Sequence, residues 1–127
     1  MFERPAIVSI EESVLDDHTR VAITLAWHDE RFTGEAVGLA DPAVRPRLVG
    51  EATLRAVERV AHGRISLRLG AVATTELGPS QVAMAQVELL GDNGPFVGSA
   101  LLKDRDASAA TVRAVLDAIN RRLVQVL

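Results

Sequence analysis

The chain has 127 residues, 48% hydrophobic and 24% charged, with a formal net charge of −3, the makeup of one ordinary globular domain with a single core. The negative balance argues against nucleic acid, whose binding takes clustered Lys and Arg. The absence of cysteine excludes disulfides, thiolate metal sites and cysteine nucleophiles together.

Ala6 to Val14 reads as a strand, with Val8, Ile10, Glu12 and Val14 on one face. Asp16-Asp17-His18 is a polar turn. Arg20 to His28 then alternates, placing Val21, Ile23, Leu25 and Trp27 on one side and Ala22, Thr24 and Ala26 on the other. After a turn at His28-Asp29-Glu30, Arg31 to Leu39 is a third strand. Its Gly34 and Gly38 mark a bulge, a bend or a close backbone approach. Asp41-Pro42 has the form of a helix N-cap followed by proline. Pro46 would break a helix that began there, so the regular helix is expected nearer Arg45, with 41–44 as a separate turn. Leu48, Ala52, Ala56 and Val60 lie at helical spacing, and His62-Gly63 ends the helix.

The second half repeats this order. Ile65 to Ala73 alternates, and 76–80 reads as a turn. Gln81 to Leu90 is a long strand with Ala83, Ala85, Val87 and Leu89 on one face. Gly91-Asp92-Asn93-Gly94 is a hairpin turn built on Asn-Gly. Pro95 to Lys103 is the sixth strand, 104–108 offers an N-cap, and a helix runs to about Val126. Its stripe of Val112, Val115, Leu116, Ile119, Leu123 and Val126 is the most regular in the chain.

The two halves share more than their order. Ala52 to Val57 reads ATLRAV and Ala110 to Val115 reads ATVRAV; Phe32-Thr33-Gly34 matches Phe96-Val97-Gly98, and Val21-Ala22 matches Val82-Ala83. This internal repeat predicts an α+β domain over 1–127, made of two tandem βββα units with pseudo-two-fold symmetry, the first about 6–63 and the second about 64–127. On the offsets, the first unit carries six extra residues before its helix. An antiparallel sheet with both helices on one face would leave the Val21-Ile23-Leu25 or Ala83-Ala85-Val87 face bare. Either the strands fold into two layers or another chain covers that face; a two-fold homodimer is the expected answer.

Catalytic material is sparse. His18 and His28 stand in turns beside acids and His62 at a helix end, where a histidine is ordinarily a helix-end cation. The acids and histidines of 16–18 and 28–30 are read as solvated turns and not as a metal site, and no nucleophile-elbow, phosphate-loop or dinucleotide motif is present. No catalytic residue, cofactor or metal is expected. Arg55 and Arg113, present in both repeats, are candidates for bidentate carboxylate recognition. The alternative is a pair of solvent-facing helix residues, Arg55 then pairing with Glu51 one turn earlier. No apolar run is long enough to span a membrane and the first residues lack a secretory pattern, so a cytoplasmic protein without a membrane partner is expected. Arginine in place of lysine everywhere but Lys103 suggests a high-GC bacterial source.

Two successive strand-strand-strand-helix units resemble the C-terminal regulatory domain of 2-isopropylmalate synthase. The similarity is carried best by Val82 to Leu90, Phe96-Val97-Gly98-Ser99-Ala100, the acidic turn 104–106 and Leu116-Asp117-Ala118-Ile119-Asn120-Arg121. The resemblance implies a pseudo-two-fold, dimerising, non-catalytic regulatory module that stands alone, without the family's catalytic barrel. In that family the domain binds leucine near the dimer interface. A small carboxylate metabolite would here meet Gly34, Gly38, Gly98, Ser99, Arg55 and Arg113, with helix N-termini supplying donors. The chain departs from the family at Ala40 to Pro46 and at Ala100 and Leu102. Two other readings stay open: a structural or protein-interaction domain without a small-molecule ligand, and an enzyme that needs His18, His28 and His62.

Overall fold

The computed structural model describes residues 4–127. Six strands and two helices follow one another: β1 (Ala6–Leu15), β2 (His18–Trp27), β3 (Glu30–Leu39), α1 (Arg45–Val60), β4 (Leu67–Leu77), β5 (Ser80–Leu89), β6 (Phe96–Leu101) and α2 (Ala107–Val126). They form two three-stranded antiparallel sheets, β1-β2-β3 and β4-β5-β6, each followed by its helix. The α+β architecture of two βββα units is therefore as expected.

Local chemistry accounts for where the elements differ from the sequence reading. β4 continues through the β-branched Thr74 and Thr75 to Leu77, and only Gly78-Pro79 turns, with Gly78 at φ 59°. The β5–β6 connection is not a two-residue Asn-Gly turn; the left-handed positions are Gly91 and Gly94, at φ 93° and 75°. In β1 a bulge at Val8 shifts the register, so that Ile7 faces Leu25 and Ile10 faces Ile23. Val8 thereby leaves the face it was expected to share with Ile10. The start of α1 follows the second of the two expectations. Asp41 Oδ1 accepts the Ala43 N–H at 2.9 Å in a turn of its own, and Pro46 falls in the first helical turn, where no intrahelical donor is required.

Each helix lies across the second and third strands of its own unit, and α1 also touches β4 and α2. The inward faces of both sheets join one core of small aliphatic side chains, in which Val21, Ile23, Leu25, Leu54, Val87, Val112 and Ile119 are fully buried. The two third-strand glycines decide how closely the helices sit. A Cβ on Gly34 would lie 2.1 Å from Ala56 N and 2.3 Å from Ala52 O. One on Gly98 would lie 2.2 Å from Ala114 O and 2.3 Å from Ala118 N. Strand and helix backbones meet without a side chain between them, and alanines line the helix side of the contact.

These contacts also fix which residues are equivalent. Gly34 matches Gly98, but Ala52 and Ala56 match Ala114 and Ala118, not the residues that the ATLRAV and ATVRAV segments would pair. The sequence repeat is thus one helical turn out of structural register, and Arg55 corresponds in place to Asp117, not to Arg113. Ala52 lies 18 positions after Gly34 and Ala114 lies 16 after Gly98, so the first unit has two extra residues before its helix and not six. Likewise Ile23 pairs with Gly34 as Ala85 pairs with Gly98, which moves the Val21–Val82 match by one residue.

The faces expected to need another chain are the covered ones. What remains outside is the opposite face of each sheet, and the two differ. The first carries an Arg20–Glu35 ion pair and a Thr24–Thr33 hydroxyl contact of 2.8 Å. The second has three successive cross-strand rows without a charge: Thr75-Val82-Leu101, Ala73-Met84-Ser99 and Ala71-Gln86-Val97.

The glycine contacts set a stability prediction. Gly34→Ala and Gly98→Ala should each cost at least the ~3 kcal/mol at the top of the usual overpacking range, because backbone has to move. Gly38→Ala, whose Cβ would meet only the movable Leu48 side chain at 2.8 Å, should cost clearly less. Urea unfolding of the three variants checks the order.

Candidate functional site

The six residues singled out by sequence do not converge. Gly34 and Gly98 are buried, and the space beside each is filled by helix backbone, so neither can face a ligand. Gly38 lies against Leu48. The Ser99 N–H donates to Asp117 Oδ2 at 3.0 Å, with its side chain on the outer face of the second sheet. Arg113 is exposed on α2.

Arg55 has a structural role. Its Nη2 donates to Leu67 O at 2.7 Å, its Nε lies 3.2 Å from Glu58 Oε1, and Glu58 Oε2 accepts the Leu67 N–H at 2.8 Å. Arg47 Nη2 adds a donation to Leu69 O at 3.0 Å and pairs with Glu51, the partner that the alternative reading gave to Arg55. Side chains of α1 thus occupy backbone groups at the start of β4, Leu67 and Leu69, where a neighbouring strand would otherwise bind. Asn120 stands on α2 where Glu58 stands on α1, and its Oδ1 is buried without a partner. Pro5, which takes the place of Leu67 in the first unit, has no N–H to offer.

The histidines stay apart. His18 Nδ1 pairs with Asp17 at 2.7 Å, His28 meets the Trp27 ring edge-on at 4.2 Å, and His62 meets Phe32 at 5.8 Å. Among the described residues no group of three His, Asp or Glu side chains could hold a metal ion.

A better-assembled place lies where the two helices begin. Glu12 of β1, only 16% exposed, pairs with Arg45 at the start of α1 and accepts a hydrogen bond of 2.9 Å from Ser108 Oγ at the start of α2. Beside this junction is a cleft of about 380 Å³ whose lining includes Arg45, Thr74, Arg105, Asp106, Ser108 and Thr111. Neither helix has an acidic residue in its first turn. Arginines stand instead at ends whose peptide dipoles already favour anions. Asp41 and Asp106 occupy several of the terminal N–H groups: Asp41 O accepts from Val44 and Arg45, and Asp106 Oδ1 accepts from Ala109 at 3.0 Å. Ser108 Oγ already donates to Glu12 and Thr111 Oγ1 to Ala107 O, and Glu12 holds Arg45. The donors left to an anion are therefore Arg105, the N–H groups of Arg45 turned away from Glu12 and the Thr74 hydroxyl. Arg45 and Arg105 escaped sequence reading because they are not repeat-equivalent. The signal that could have found them is a cation placed at a helix start against the dipole.

A second cleft, of about 670 Å³, holds Arg55 and Arg59 with Glu35, Glu58 and His62. Two acids there match two arginines, and Arg55 is already held by Leu67 O and Glu58, whereas the first cleft sets one lining acid, Asp106, against two arginines, with Glu12 on Arg45. No protein-family model matches the chain, and no curated protein is similar to it. Among the described residues no helix is long and apolar enough to cross a membrane.

The edge contacts give a second prediction. Glu58→Ala leaves the Leu67 N–H without its acceptor and should cost about 1–2 kcal/mol. Glu51→Ala removes only the half-exposed pair with Arg47 and should change stability by less than ~0.5 kcal/mol. Chemical denaturation of both variants reads the difference.

Proposed function

We propose that this protein is a non-catalytic regulatory module of the cytoplasm that takes a small carboxylate metabolite in the cleft at the two helix starts. The observation that carries the reading is the presence of Arg45, Arg105 and the Thr74 hydroxyl in the lining of one cleft between the two units. Arginine holds a carboxylate with two parallel hydrogen bonds, and a cleft bounded by both units lets a ligand report on their packing. The resemblance to the 2-isopropylmalate synthase regulatory domain points to the same ligand class, with the contact set moved from the third-strand glycines to the helix starts. A protein-interaction domain without a small-molecule ligand is the second reading. It is favoured by the way Asp41, Asp106, Glu12 and Glu58 already engage groups that a ligand would otherwise use.

Thermal melts against leucine, other amino acids, 2-oxo acids and nucleotides separate the two. A carboxylate present at 100 times its dissociation constant adds about 2.7 kcal/mol and should raise the midpoint by several degrees. Arg105→Ala should remove that rise and leave the unliganded midpoint where it was. A panel without any shift would hand the function to the protein-interaction reading.

A further inference from the structure

We propose that the outer face of the β4-β5-β6 sheet is the contact surface of a two-fold homodimer, with Met84 at or beside the symmetry axis. The proposal is independent of the carboxylate cleft, which lies at the helix starts.

Three features of the chain select this face and a second copy as its occupant. First, the whole chain carries a net charge of −3, so two copies repel unless they meet where neither has charge to bring. A symmetric contact sets a patch against itself, and any net charge in it would face its own sign. The three rows centred on Met84 hold no charged residue, whereas the matching face of the first sheet carries Arg20, Glu35 and Glu11. Second, the large exposed side chains of the patch other than Gln86 are apolar, with Thr75 and Ser99 as its small polar members. Met84, Val97 and Leu101 are 41%, 58% and 52% exposed, and Ala71 and Ala73 beside them leave the sheet flat enough for a second sheet at the usual ~10 Å spacing. The Arg68–Glu88 pair borders one end and supplies the polar rim that such interfaces have. Third, the chain has surface to spare. It exposes 7690 Å², against roughly 6,600 Å² for a compact monomer of 13.6 kDa. The surplus of about 1,100 Å² is a property of the whole chain, shared with exposed residues such as Leu15 and Leu77, and it leaves room for the ~800 Å² that each partner gives to a standard interface.

The test is size-exclusion chromatography with light scattering on the full chain at high micromolar concentration. The wild type should elute with twice the 13.6 kDa chain mass. Met84→Glu should halve the mass with an unchanged far-ultraviolet circular dichroism spectrum, since the side chain lies outside the core cluster. Val97→Lys, on the neighbouring strand, should do the same, so one misfolded variant does not decide the matter. Thr24→Glu, on the outer face of the first sheet, should remain dimeric. A monomeric wild type overturns the proposal and leaves the face to a different protein. A dimer that survives both Met84→Glu and Val97→Lys, or one broken only by Thr24→Glu, overturns it by placing the contact elsewhere.

Discussion

Two glycines facing two helices are the constraint on which the rest of the structure depends. At Gly34 and at Gly98 the strand backbone comes so near the helix that even a methyl group would overlap peptide atoms. The helix side of each contact is backbone of alanines, Ala52 and Ala56 in α1 and Ala114 and Ala118 in α2, whose small side chains suit so close an approach. A core this thin is filled by Val, Leu and Ile from both sheets, and it needs no large ring to reach close packing. The same contact sets helix height over the sheet and so decides which side chains of α1 reach the edge of β4.

The residues that made the fold legible were those whose period matches their element. Val21-Ile23-Leu25 and Ala83-Ala85-Val87 announced strands, and the Val112 to Leu123 stripe announced α2. Val8 escaped because a bulge changes the period by one residue, and alternation read across it puts side chains on the wrong face. The ATLRAV and ATVRAV match misled for a related reason. Four residues turn a helix by about 400°, so a segment moved by one turn presents nearly the same face and keeps nearly the same sequence. Only the contact with a fixed glycine shows the shift. The expected glycine-lined ligand site failed on the same ground: glycine announces close approach, but not whether a ligand or a helix is what approaches.

The features on which the proposals rest are departures from the two-fold pattern. In the second unit Arg47, Arg55 and Glu58 hold the backbone at Leu67 and Leu69, the start of β4, while in the first unit Pro5 needs no such acceptor. Glu12 joins β1 to both helix starts, and the cleft beside it opens between units, where a bound anion would be felt by both. The outer sheet faces diverge as well, one crossed by an ion pair and the other neutral over three rows. A repeated unit with the same core contact and different surfaces can divide binding and assembly between its two halves.

The central claim is that both helices are seated by equivalent glycine contacts on one shared core, so that the two units open together. Native-state hydrogen exchange of the α1 and α2 backbone amides tests this most directly. Amides of Leu54 and Val57 in α1 and of Val115 and Ile119 in α2 should exchange only through global unfolding, with one common free energy equal to that from denaturant unfolding. If either helix exchanged at a free energy several kcal/mol below the other, the units would be separate folding bodies. The account of a single core held by paired glycine contacts would then be contradicted.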